Sequence, residues 1–427
     1  MTPRAMSRAG AIRVAALIVA ALAMPAFAPA AAHADSFQWP VILQHQGSLN
    51  AVACSAADEC VVSGGDSTAW EIAFNPASPG APARHNVPGN NGLGPIACPS
   101  ATQCTGITDN ESEVTFNPAS PGSPAEVSVD DAPFVSGDAW GVLALSCPST
   151  TQCTATDSNG QEVTFNPQSP GTPTTAAIAG SGVYLNYLSC PSTTQCTAFD
   201  RTGAETTFNP GAPGSTSPKI ISTHTLQSTF NVGGIACPSA SQCTVAYTYP
   251  GGGTHSYEST FNPSSPNPTV VGLPLYVSSG NGLANLISCP SATQCTVSGA
   301  DANSGNPEEA TFNPQAPGHP AAMAMTDGDG SISCPSVNEC VIVNLYGEVA
   351  FGTNSGGGGH AKCLVPRVKG KTLAAAKRAI VKAHCTLGKV TKKPSTHFKK
   401  GHVISQRPSA GKSLRSRSKV SLVVSKG

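Results

Sequence analysis

The 427-residue chain sets 24 basic side chains against 24 acidic ones for a formal charge of zero, and it carries 16 cysteines, 43 glycines and 37 prolines. An even cysteine count of this size fits an oxidising exterior and argues against a reduced cytosolic protein. The zero hides a split: all 24 acidic residues lie between Asp35 and Glu348, alongside only Arg84, Arg201 and Lys219, whereas residues 362–427 hold 18 Lys and Arg and no acid. Such asymmetry marks a basic binding module on an acidic body.

Residues 1–34 read as a secretory signal. Arg4, Arg8 and Arg13 form its basic start, Val14 to Ala23 its apolar centre, and Ala32-His33-Ala34 its cleavage site. The apolar run is short for a membrane span and is broken by Pro25 and Pro29, so no stable membrane insertion is expected after cleavage.

Seven cysteine pairs follow, each separated by five residues: Cys54/Cys60, Cys98/Cys104, Cys147/Cys153, Cys190/Cys196, Cys237/Cys243, Cys289/Cys295 and Cys334/Cys340. The middle five repeats match C-P-S-x-x-Q-C, and successive pairs start 43 to 52 residues apart. A period of this length signals an array. Each repeat also carries a T-F-N-P-x-x-P-G turn, as at Thr164 to Gly171, and short β-branched runs punctuated by Asn, Gly and Pro. These read as four strands per repeat, with Pro confined to turns. Four short strands repeated seven times predict a seven-bladed β-propeller over residues 35–352. The seventh repeat stops at Phe351, before its fourth strand, while Gln38 to Gln44 precede the first cysteine with no repeat of their own. That N-terminal segment is expected to supply the missing strand and close the ring.

Residues flanking a five-residue hairpin loop lie opposite one another, within bridging range, so the seven pairs read as disulfides. Loops this short give each bridge about 2.4 kcal/mol by loop-closure entropy. The bridges are expected to act as hairpin staples, holding each loop where Gly, Pro, Ser and Thr leave little apolar core. Zinc prefers closer pairs joined by recurring His ligands, which are absent, so no metal or cofactor is expected.

Glu71, Glu113, Glu162, Glu205, Glu258, Glu309 and Glu348 each stand three residues before a repeat Phe. They are expected to sit at solvated strand edges, with a cation-binding belt as the alternative. The phenylalanines themselves read as core. Asp66, Asp109, Asp157, Asp200 and Asp301 read as turn residues. The histidines His45, His85, His224, His255 and His319 share no spacing, and no paired carboxylates, nucleophile triad or lone cysteine emerge, so binding is expected rather than catalysis.

A Gly-rich linker occupies residues 353–361. Beyond it, Thr372 caps a helix running to about His384, and strands are expected at Leu387–Thr391, His402–Gln406 and Val420–Ser425. Cys363 and Cys385 would staple this small domain.

The segment Val365-Pro366-Arg367-Val368-Lys369-Gly370, with Leu373 and Ala376, resembles the opening of a PASTA domain. Gly401 to Gly411 resembles its G-x-V-x-x-Q-x-P-x-x-G centre, and Val420 to Ser425 its closing strand. The resemblance covers residues 363–427 and implies one helix packed on three strands. It also implies binding of peptidoglycan fragments outside the membrane. The S-C-P-S-x-x-x-C repeats resemble more loosely those of secreted actinobacterial propellers, a likeness that implies no activity.

Together these readings predict a secreted cell-envelope binding protein retained at the wall. Its partner would be peptidoglycan or an anionic wall polymer, contacted by Arg367, Lys369, Lys371, Arg407 and Lys412. The propeller would offer a platform to an unknown protein or glycan. Nucleic acid would also attract the basic tail, but export and the lack of an aromatic stacking set argue against it. The alternatives are docking of the tail on its own acidic propeller, and a wall-targeted glycan hydrolase or lyase.

Overall fold

The computed structural model describes residues 37–39, 41–44, 47–89, 92–129, 142–214, 216, 219–220, 231–248, 256–277, 285–325, 330–344, 346–354, 363–383, 385–414 and 419–427. The expected signal at 1–34 and most of the linker lie outside them. The described residues are mainly β, with a single helix.

The seven repeats form seven antiparallel sheets, six of four strands and one of five. Their first strands are Ser48–Ala56, Leu93–Ser100, Val142–Ser149, Tyr187–Ser192, Asn231–Ser239, Ile287–Ser291 and Ile332–Ser336. Each packs against the first strand of the next sheet, and Ile332–Ser336 packs against Ser48–Ala56. All seven line one cavity of about 350 Å³.

The seventh sheet contains the N-terminal segment, as expected. Both Phe37–Gln38 and Val41–Gln44 pair antiparallel with Glu348–Asn354. Phe37 and Trp39 anchor it by burial beside Met325, Ile332 and Ile342. Gly352 is needed here, because a Cβ would lie 2.8 Å from the Trp39 ring. The backbone N–H of Phe37 donates to Glu309 of the sixth sheet at 3.3 Å.

The apolar clusters lie between sheets. Leu49, Val62, Trp70 and Ile72 of the first sheet pack on Val341, Val343, Val349 and Phe351 of the seventh. Ala51, Val61 and Ala69 pack on Leu93, Cys104, Val114 and Phe116 of the second. All seven repeat phenylalanines are buried.

Seven disulfides join the seven expected pairs, with Cα–Cα distances of 4.0–4.1 Å. Cys54 and Cys60 are direct register partners. The bridges span their hairpins as expected, and their burial adds a second role in the core. The second cysteine of every pair, at Cys60, Cys104, Cys153, Cys196, Cys243, Cys295 and Cys340, is 0% exposed. The first cysteines Cys54, Cys98, Cys147 and Cys289 are only half-buried. The cause is strand position: the second cysteine stands on the second strand, inside its sheet, opposite a residue of the third strand. Cys153 pairs with Phe165, Cys196 with Phe208, Cys243 with Phe261 and Cys295 with Phe312. Each also joins an apolar cluster: Cys153 beside Val163, Cys196 beside Leu188, Cys243 beside Ile235 and Cys295 beside Val297. The disulfide is thus part of the core it was expected to replace, and these sulfurs offer no surface to a ligand.

The prolines of the C-P-S motif correct a second expectation: they lie inside the first strands rather than in turns. Pro99 falls at a register break between Ala97 and Ser100, and Pro148 at one between Ser146 and Ser149. A bulge frees that position from the ladder, so the missing N–H costs nothing.

Two motif positions stitch neighbouring sheets. The serine before the first cysteine accepts the N–H of the next sheet's first cysteine: Ser146 from Cys190 at 3.1 Å, Ser189 from Cys237 at 3.0 Å, Ser288 from Cys334 at 3.0 Å and Ser333 from Cys54 at 3.1 Å. The glutamine before the second cysteine donates to a carbonyl in the next hairpin loop. Gln103 reaches Thr150, Gln152 reaches Thr193 and Gln195 reaches Ala240, each at 2.8 Å, while Gln242 reaches Ala292 at 2.9 Å and Gln294 reaches Val337 at 2.7 Å. The first sheet has Ala53 and Glu59 at these two places and makes neither bond to the second. Its substitutes are Asn50 to the Leu93 carbonyl at 2.9 Å and Ser63 to the Gly94 carbonyl at 2.9 Å.

Gln152→Ala is expected to lower unfolding free energy by about 1 kcal/mol in a denaturant titration, the net worth of one such bond. Glu59→Gln, which restores a donor at the first junction, is expected to raise it by about 0.5–1 kcal/mol.

Candidate functional site

The C-terminal unit is built on its helix, Leu373–Lys382. Thr372 Oγ1 caps it by accepting the Ala375 N–H at 3.3 Å. The strand Lys419–Ser425 lies at the sheet centre, parallel to Thr386–Lys393 and antiparallel to Val403–Arg407. Ala376 and Ile380 of the helix pack on Val403, Val420, Leu422 and Val424, with Val365, Val368 and Cys385 closing the core. The sequence pattern does not signal the two-stranded pairing of Cys363–Leu364 with Ser413–Leu414. Cys385 is disulfide-bonded. The side chain of Cys363, its expected partner, lies outside the described residues.

Gln406 ties the two halves of the motif together. Its Oε1 accepts the Val368 N–H and its Nε2 donates to the Pro366 carbonyl, both at 2.8 Å. Val365 exchanges backbone bonds with Gly411 and Lys412, and Val403 with Gly370 and Lys371. Gly370, Gly401 and Gly411 hold φ of +84°, +82° and +84° with open space where a Cβ would stand, so conformation rather than crowding selects glycine.

These bonds bring segment 365–371 alongside 401–412. Arg367, Lys369, Lys371, Arg407 and Lys412 are all exposed on the two segments. Lys369 lies over the Phe398 ring at 5.8 Å. With no acid in residues 362–427, these cations have no carboxylate partner within the domain.

Residues 364–426 are a PASTA domain. The expected helix-on-three-strands fold is therefore present, and the domain suggests binding to cell-wall material. No curated protein matches the chain.

Outside the PASTA domain, the repeat glutamates correct the expectation of solvated edges. Glu71, Glu113, Glu162, Glu205, Glu258 and Glu309 are all 2% exposed or less. Each stands on the third strand, on a face covered by the following sheet. Five share one device: a second-strand Thr meets a third-strand Thr, which donates to the carboxyl. Thr105, Thr115 and Glu113 form it, as do Thr154, Thr164 and Glu162. It recurs at Thr197, Thr207 and Glu205, at Thr244, Thr260 and Glu258, and at Thr296, Thr311 and Glu309. Glu348 is offset, because Cys340 pairs with Gly352 in the seventh sheet rather than with Phe351. Its carboxyl accepts the Asn344 amide at 3.1 Å.

Glu71 breaks the pattern. Val61 and Ala73 replace the two threonines, and neither carboxyl oxygen of this wholly buried residue meets a donor. Ser63 and His85 are its register partners, and His85 is exposed. Burial raises the Glu71 pKa to about 8. It raises Glu113, Glu258 and Glu309 to about 7 against the pull of their Thr donors, and Glu162 and Glu205 in the same direction. The acidic body is thus less negative at neutral pH than its formal charge.

Asp66, Asp157, Asp200 and Asp301 accept backbone N–H bonds in their own turns, as expected. Asp109 does not match them: its Oδ1 is buried without a donor, and burial raises its pKa to about 6. Two residues on, Glu111 holds φ +58° where the corresponding turns place Gly160, Gly203 and Gly347. His85 and His319 are exposed, and His45, His224 and His255 lie outside the described residues. Among the described residues no group of three His, Cys, Asp or Glu is placed to hold a metal, and no helix is long and apolar enough to cross a membrane.

The buried carboxyls set a sign for pH dependence. Below about pH 4.5 Glu71 is protonated in both folded and unfolded chains, and its full stability contribution is present; as pH rises through its folded value of about 8, that contribution is lost. Thermal midpoints are therefore expected to fall across this window. Glu71→Gln should flatten the fall and raise the midpoint at its upper end. An unchanged slope would mean that Glu71 is solvated.

Proposed function

We propose that the chain is a secreted cell-envelope binding protein in two parts. In this reading the seven sheets over 35–352 are the blades of a seven-bladed β-propeller. Supporting it are the cyclic packing of the first strands and the N-terminal segment completing the seventh sheet. The linker 353–361 tethers the propeller to the PASTA domain. The PASTA domain binds peptidoglycan or an anionic wall polymer, and the propeller presents a platform to a protein or glycan partner.

The observation that carries this reading is the pairing of a PASTA domain with an unneutralised basic surface. Arg367, Lys369, Lys371, Arg407 and Lys412 are the contacts we assign. Their charges sit on a core that does not depend on them, so they can be exchanged without unfolding it. Attraction between such exposed charges and a polyanion weakens as salt is added.

The alternative reading is a glycan hydrolase or lyase targeted to the wall. The turn holding Asp109 and Glu111 favours it, because that turn departs from the repeat. Asp109→Asn would abolish turnover of purified wall glycan in that case and leave wall binding intact.

Sedimentation with purified cell wall tests the binding reading. The full chain is expected to pellet at low salt. Replacing the five cations with Gln should weaken retention at least tenfold, about 1.4 kcal/mol. Pelleting that is indifferent to both salt and these substitutions would overturn the assignment.

A further inference from the structure

The central cavity of about 350 Å³ has an unbalanced wall. Ser146, Ser189, Ser288 and Ser333 line it, and each hydroxyl oxygen already accepts a backbone N–H from the next sheet. A hydroxyl has one hydrogen to donate. None of these four is donated to a described residue.

The chemistry of the occupant follows from what the wall lacks and what it offers. No charged side chain lines the cavity, so an ion would be stripped of water with no counter-charge to meet it. A purely apolar guest would bury the four hydroxyl hydrogens unpaired. Leu143 and Leu145 supply apolar wall between the polar groups. The volume stands at the low end for small-molecule sites, which suits one sugar ring rather than a chain.

We propose that this cavity binds a small, neutral, polyhydroxylated molecule, a monosaccharide-sized sugar or polyol. Its oxygens accept from the four serine hydroxyls, and its C–H face lies on Leu143 and Leu145. The proposal is independent of wall binding by the PASTA domain.

Saturation-transfer NMR and isothermal titration on the full chain test it, with glucose as the neutral probe and sodium acetate as the ionic one. Glucose is expected to bind in the millimolar range with transfer to its ring protons, and acetate is not. Ala97 lines the cavity at the position that Ser146 holds in the following sheet. Ala97→Leu should plug the cavity and abolish the glucose signal with the circular dichroism unchanged. Ala236→Leu, at the same position in the fifth sheet, is the second plug if the first disturbs folding. The proposal is overturned if glucose gives no transfer, if acetate binds in its place, or if a folded plugged variant keeps wild-type affinity.

Discussion

No sheet in the repeat array can complete itself. Both faces are apolar at their centres, and the apolar clusters take residues from two sheets. In four sheets the first strand turns the N–H of its cysteine, at Cys54, Cys190, Cys237 and Cys334, toward the neighbouring sheet. Buried backbone groups need partners, and the neighbouring sheet supplies them through Ser146, Ser189, Ser288 and Ser333. Everything else in the array follows from that dependence. The motif serines and glutamines are joints between units, and the final unit must find its partner in the first.

The same dependence explains the glutamates. A carboxyl on the third strand is covered when the next sheet docks, and in five sheets a pair of threonines meets it there. A Thr···Thr pair has two hydrogens: one satisfies the other threonine and one reaches the carboxyl. Desolvation still outweighs this single bond, so the pKa of each of these acids is raised. At Glu71 the threonines are gone, the carboxyl has no donor, and its pKa rises furthest. The first sheet makes neither motif stitch to the second, and relies on Asn50 and Ser63 instead.

These buried acids also change how the charge split reads. Formal counting gives a strongly acidic body facing a basic tail. Burial pushes Glu71, Glu113, Glu258 and Glu309 toward their neutral forms, and that attraction is weakened. The PASTA domain has no such internal relief, because it contains no acid. Its charge meets no Asp or Glu within the domain, and its core of Ala376, Ile380, Val403 and Leu422 is indifferent to that charge.

Periodicity and motif identity are readable in the chain itself. The seven cysteine pairs, four strands per repeat, the N-terminal segment in the seventh sheet, the phenylalanine core and the PASTA motif are all local or repeating patterns. The strand alternation, turn residues and Gly positions that encode them act within a few residues. The chain does not disclose which faces are covered by the neighbouring sheet. The glutamates read as edge charges because exposure is not a local property; only docking of the next sheet buries them. The burial of the second cysteines is hidden for the same reason: docking adds a place in the core to the hairpin-holding role of Cys153, Cys196, Cys243 and Cys295. The C-P-S prolines read as turn residues because a bulge is defined by a partner strand. The motif serines and glutamines show no purpose until residues more than 40 positions apart in sequence come within about 3 Å. Local pattern determines what each repeat is. The closure of one repeat upon another decides which groups are buried, and with them the charge and the cavity.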